Sequence, residues 1–137
     1  MTLPQTDLKI GSAFSFRKTM TVAEQAMFTG ISGNLDPAHV DATRAAALGA
    51  SGMIAFELAV ASLLTTCLAR LGGSDRRIGR FELTFGKPVI VGSTVEASAE
   101  VVEVEDGRIT CTLAVTVDGV GTVMEGRAEL IEFADRG

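Results

Sequence analysis

The run Ser32-Gly33-Asn34-Leu35-Asp36-Pro37-Ala38-His39 concentrates the chemistry-bearing side chains of this chain. His39 is the only histidine among 137 residues. An imidazole, with an ordinary pKa of about 6.5, works as a general acid or base near neutral pH. Asp36 stands three residues before it and has the chemistry to orient the ring and select its tautomer. Asn34 adds an amide that can hold a water or a carbonyl. Pro37 stiffens the turn and lowers the entropy lost in arranging these groups. A plainer alternative stays open at this point: Asn34 and Asp36 can close Asx-type turns, with His39 on the surface.

A second feature is Ala50-Ser51-Gly52-Met53, which opens a long apolar segment. The first N–H groups of a helix lack intrahelical partners and lie at its positive end. Such groups can hold a developing oxyanion, for instance a thioester enolate, and Gly52 lets a ligand approach the backbone closely. Alternatively, Gly52 merely starts a helix. Arg76, Arg77, Arg80 and Lys87 place four of twelve basic residues in one short stretch. That patch suits a phosphate-rich ligand, or it is the solvated end of a strand. Gly119, Gly121 and Gly126 have the wrong spacing for a dinucleotide or phosphate loop. Cys67 and Cys111 lack partners at metal-ligand spacing, which predicts no metal site and two buried free thiols in a reducing, cytoplasmic setting.

These residues need elements to position them. Thr21 caps a helix running to Ile31, with Glu24 completing a capping box and Val22, Ala26 and Phe28 or Thr29 forming its inner face. The Gly33–Pro37 loop ends it. Asp41 caps a second helix from Ala42 to Leu48, closed by Gly49. The spacing then predicts one long helix from Ser51 or Gly52 to about Leu71, stopped by Gly72-Gly73. Its Met53–Leu71 core is nearly long enough to span a bilayer, but Glu57, Ser62, Thr65 and Thr66 interrupt it, and a buried helix of a soluble domain is expected.

After that helix the apolar period changes to two. Phe81, Leu83 and Phe85 alternate with polar residues, as do Val95 to Val101 and Ile109 to Val117. Val123, Ala128, Leu130 and Phe133 form a last extended stretch. Asp106-Gly107 and Asp118-Gly119 are hairpin signals. Phe14 and Phe16 suggest one further strand near the start. The order gives an α+β architecture in which an antiparallel sheet with one apolar face covers the long helix.

The bulk composition agrees with a single domain spanning 1–137. The chain is 47% hydrophobic with no Trp or Tyr, so the core is aliphatic with seven Phe as its large members. A net charge of −5 argues against a nucleic-acid binder, which needs a basic face. Met1–Ile10 lacks the basic start and apolar block of a secretion signal.

The loop, the Ala50–Met53 stretch and Phe85-Gly86-Lys87-Pro88-Val89-Ile90-Val91-Gly92, in this order, resemble the MaoC-like (R)-specific enoyl-CoA hydratases. The family loop reads approximately S-G-D-x-N-P-x-H-x-D, and this chain has Ser32-Gly33-Asn34-Leu35-Asp36-Pro37-Ala38-His39-Val40-Asp41. The resemblance implies a hot-dog fold, at least a homodimer with sheets side by side, and a CoA or acyl-carrier thioester of fatty acid metabolism as substrate. It implies hydration of a trans-2-enoyl thioester by an Asp and a His, with a Gly N–H binding the thioester oxygen. By position the His is His39 and the Gly is Gly52.

The chain departs from the pattern at the acid: the family's catalytic Asp falls at Asn34, and its Asn falls at Asp36. An amide does not take a proton from water at neutral pH. Ser51, Ser93 and Val60 also replace family polar residues. The expected site is therefore His39 as general acid/base, Asp36 assisting, Asn34 positioning water and Gly52 donating to the oxyanion, with Phe28, Phe56 and Met53 around the acyl chain. The competing expectations are a non-catalytic or partner-dependent acyl-thioester binder and a thioesterase.

Overall fold

The computed structural model describes residues 8–133. Most of Met1–Ile10, the stretch read for a secretion signal, falls outside them. Five strands form one antiparallel sheet in the order β1-β3-β4-β5-β2. They are β1 (Ala13–Thr19), β2 (Arg76–Phe85), β3 (Thr94–Glu105), β4 (Arg108–Val117) and β5 (Gly121–Glu132). The alternating apolar residues put Val95, Ala97, Ala99 and Val101 of β3, and Ile109, Cys111, Leu113 and Val115 of β4, into the core. Helix α5 (Leu63–Gly72) lies across that face, burying Leu64, Cys67, Leu68 and Leu71. The Cys67 thiol reaches the Ala97 carbonyl at 3.5 Å. This is the helix-wrapping sheet of the hot-dog fold.

Both thiols are free and buried. Burial, which disfavours the thiolate, pushes Cys67 and Cys111 up to about 11. The β3–β4 turn is built as its sequence requires: Asp106 and Gly107 both adopt left-handed backbone, with φ 51° and 78°.

Four helical elements precede α5: α1 (Val22–Ser32), α2 (Pro37–Val40), α3 (Ala42–Ala47) and α4 (Glu57–Ala61). Thr21 and Glu24 form the expected capping box on α1. The Thr21 hydroxyl donates to the Glu24 carboxylate at 2.6 Å, and Lys18 pairs with it at 2.9 Å. These contacts, the Thr21 bond first, hold the Glu24 carboxyl down to about 2. The inner face of α1 differs from the expected one. Val22 is 59% exposed, whereas Gln25 is buried at 4%. The reason is a set of hydrogen bonds that hydrophobic periodicity does not register.

The long helix from Ser51 or Gly52 is also corrected. Residues 51–56 are not helical: Ser51 and Gly52 form a bend, Ile54 bridges Ile90, and helix begins only at Glu57, as α4 (Glu57–Ala61) followed by α5. The backbone of this segment is used by other strands of chain. Ala55 N–H donates to the Val89 carbonyl at 2.7 Å, Val91 N–H to Met53 at 2.9 Å, and Ile54 N–H to Ala38 at 3.0 Å. Such pairing is incompatible with helical bonding. The break between α4 and α5 falls at Ser62, whose hydroxyl donates back to the Ala59 carbonyl at 2.6 Å. No helix among the described residues is long and apolar enough to cross a membrane.

Candidate active site

His39 sits in a single helical turn, not in an open loop. Gly33 ends α1 in left-handed conformation, with φ 75°. Asn34 Oδ1 then accepts from the Asp36 N–H at 2.8 Å, closing an Asx turn. Pro37 takes the first position of α2, where its missing N–H costs nothing. The plainer expectation is therefore correct for Asn34, whose amide oxygen is committed to the backbone. It is corrected for His39, which is buried at 7%.

The imidazole is fixed on three sides. Nδ1 lies 2.7 Å from the Ile54 carbonyl oxygen. A carbonyl only accepts, so in the neutral ring Nδ1 carries the proton and Nε2 presents its lone pair. The ring stacks on Phe56 at 4.4 Å between centroids and 24° between planes. Phe56 in turn lies 4.7 Å from Phe28 of α1. On the third side, Nε2 faces Glu57 Oε1 at 3.6 Å. The Glu57 side chain is 48% exposed and the imidazole 9%, so the carboxylate stands nearer solvent with the ring behind it.

Gln25 ties these pieces together. Its amide nitrogen donates to the His39 carbonyl at 2.7 Å and to the Ile54 carbonyl at 3.0 Å. Its amide oxygen accepts from the Phe56 N–H at 3.1 Å. One side chain thus joins α1, α2 and the segment before α4.

The other sequence-predicted residues take different places. Asp36 is exposed, and its carboxylate makes no capping bond on α2. Gly52 lies five residues before the start of α4, so a helix dipole does not act on its N–H. Among the described residues no backbone group accepts from that N–H. A Cβ there would meet Ile90 Cγ2 at 3.1 Å. Phe28 lines an open apolar groove of ≈ 430 Å³ between α1 and the α4–α5 junction, with Met27, Ile31, Ala59 and Leu63. Phe56 is the floor under the imidazole, and the backbone carbonyl of Met53 is bonded to Val91.

The four basic residues do not form one patch. Arg76 begins β2 and Lys87 follows its end, so the ten-residue strand separates them by roughly 30 Å. Arg76 donates to the carbonyls of Gly107 and Gly72, which commits it to the fold. Arg80 pairs with Glu82 at 2.8 Å on the surface. Among the described residues no three His, Cys, Asp or Glu side chains converge as metal ligands.

Sequence reasoning missed Gln25 and Glu57. The signal for Gln25 was a long amide on the α1 stripe shared with Phe28 and Thr29. The signal for Glu57 was the one charge inside the run from Met53 to Leu71 up to Arg70.

Comparison with known proteins supplies the relatives. The family profile described as MaoC like domain matches residues 6–122. The chain is 32% identical over 127 residues to an (R)-specific enoyl-CoA hydratase of Rhodospirillum rubrum, across 86% of this chain and 88% of that one. It is 30% identical over 127 residues to a 3-hydroxybutyryl-CoA dehydratase of Methylorubrum extorquens, across 89% of this chain and 79% of that one. Among solved structures, an (R)-hydratase from A. caviae involved in PHA biosynthesis superimposes with a TM-score of 0.87 at 27% identity, covering 92% of this chain and 98% of that chain.

Proposed function

Because this chain belongs to the MaoC-like dehydratase family, we propose that it interconverts a trans-2-enoyl thioester and the (R)-3-hydroxyacyl thioester by adding or removing water. The observation that carries this reading is the state of His39. Its Nδ1 is held by the Ile54 carbonyl, which leaves Nε2 as a base on the solvent side of the ring. The hydratase and dehydratase named among the relatives act at the same class of bond, which supports it further.

In this proposal water adds to C3 of the enoyl chain with His39 as base, and the thioester oxygen takes up charge as an enolate. The unpaired Gly52 N–H is the donor assigned to that oxygen, and Ile90 leaves little room for any side chain there. Asp36 and Asn34 shape the turn that carries His39. The apolar groove beside Phe28 is the place assigned to the acyl chain. Lys87 opens the stretch leading to Val89 and Ile90, beside the segment before α4, and is the basic residue retained for the phosphates of CoA. The two buried thiols suit a reducing, cytoplasmic compartment.

The active species proposed is a homodimer. Strand β2 is an open edge of the sheet and carries Phe81 and Phe85 at 36% and 42% exposure. Its backbone groups and these rings suit pairing with a second copy.

The direct test is turnover of crotonyl-CoA and longer enoyl-CoA substrates by the purified protein. Activity abolished by His39→Ala is the expected result, and a rate indifferent to that change ends the proposal. Free CoA measured in the same reaction separates hydration from thioester hydrolysis. A second reading, an acyl-thioester binder without activity, is favoured by the commitment of Asn34 to the turn. Binding of substrate without hydration would establish it.

A further inference from the structure

We propose that Glu57 is the catalytic carboxylate of this site, acting with His39 through one shared water in place of the acid that the loop lacks. The inference rests on the hydratase reading above and names a residue that the loop pattern does not contain.

The geometry leaves few alternatives for what lies between the two side chains. With Nδ1 protonated toward Ile54, the neutral ring offers only an acceptor at Nε2. An ionised Glu57 also offers only acceptors. Two acceptors repel, and their 3.6 Å separation is too long for a direct hydrogen bond. A water has two protons to give. At about 2.8 Å from each atom it spans that gap with an angle of roughly 80° at its oxygen. The pair is therefore shaped to hold one water by both protons, with its lone pairs turned outward to a substrate.

The backbone makes this placement firm. Phe56 and Glu57 are consecutive, and Gln25 holds the Phe56 N–H at 3.1 Å. The ring of Phe56 underlies the imidazole while the next residue presents its carboxylate to Nε2. Among the described residues no side-chain contact joins His39 to Asp36, whose carbonyl accepts the His39 backbone N–H at 2.9 Å, and the Asn34 amide oxygen is occupied by the Asx turn.

The step balances without a further reactant. The water oxygen bonds to C3 and passes one proton to Nε2. The electron pair of the C2=C3 bond moves toward the thioester carbonyl, giving the enolate. The imidazolium formed stands beside the Glu57 carboxylate, which stays ionised and steadies it. As the enolate collapses, Nε2 returns the proton to C2. The net result is OH on C3, H on C2 and a restored site.

Three variants test the assignment on a thioester that the wild-type protein hydrates. Glu57→Gln keeps the size of a half-exposed side chain and should melt like wild type. It should lower kcat about 100-fold or more with KM changed only a few-fold. Glu57→Asp keeps the charge and should retain at least ten times the kcat of Gln. His39→Ala with Glu57→Gln should lose little beyond His39→Ala alone, as expected of groups acting as a unit. A Glu57→Gln enzyme within threefold of wild type, or equal losses in Gln and Asp, overturns the role of Glu57 and leaves the hydratase reading standing. A wild-type protein that hydrates no enoyl thioester overturns both.

Discussion

The side-chain amide of Gln25 donates to the backbone carbonyl of His39 at 2.7 Å, across fourteen residues of sequence. The catalytic candidate is thus held by its main chain from α1 and by its ring from Ile54. Gln25→Leu removes both ends of this clamp and leaves buried backbone groups of His39 and Phe56 unpaired. The expected cost is about 2–4 kcal/mol. A thermal melt should show a loss of roughly 10 °C or more. Turnover should fall beyond what the lost folded fraction explains, because the imidazole is no longer aimed.

Asn34→Asp tests whether the exchanged acid in the loop matters. A carboxylate oxygen can accept from the Asp36 N–H as the amide oxygen does, so stability should change by no more than about 0.5 kcal/mol. With Glu57 already beside Nε2, hydration should not rise more than about tenfold. Activity created from nothing, measured on crotonyl-CoA, would show instead that the natural site lacks its acid.

The capping box on α1 predicts an acid-sensitive contribution to stability. The Glu24 carboxyl is lowered from 4.5 to about 2 in the folded chain. A depressed carboxylate stabilises the fold above its unfolded pKa, and the effect fades as pH falls from there through the folded value. Thr21→Ala should therefore destabilise by about 1 kcal/mol at neutral pH. Denaturant unfolding at successively lower pH should show the difference narrowing below pH 4.5 toward 2.

Phe81→Lys tests the open edge of β2. Phe81 is 36% exposed, and a charge there opposes apolar pairing between copies. Light scattering after gel filtration should give a dimer for the native chain and a monomer for the variant. A native chain that stays monomeric at all concentrations sinks this prediction.

Local rules carried much of the architecture. The Thr21–Glu24 spacing, the period-two strands and Asp106-Gly107 each act within a few residues, so each is visible in the chain. His39 was visible too, because it is the single imidazole in a turn-rich run. The non-helical backbone of residues 51–56 was not. Its apolar residues suit a helix equally well, and its conformation is set by pairing with Val89 and Val91. The same holds for Gln25, whose partners lie up to 31 residues away. Glu57 read as an interruption of an apolar run until the fold brought His39 opposite it. Side chains whose purpose is to bridge distant segments leave no local period behind.

The sheet order has a consequence for how large an assembly can grow. Its two edges are unlike: β2 carries exposed rings, whereas β1 carries Arg17 and Lys18, engaged with Asp118 and Glu24. Joining copies through β2 about a two-fold axis uses both β2 edges at once. Only β1 edges remain at the rims, where Phe14 and Phe16 pack against the core and Arg17 and Lys18 are paired within the chain, so a third copy meets no exposed rings of the kind β2 offers. Such an association closes at two copies and does not propagate into a fibre.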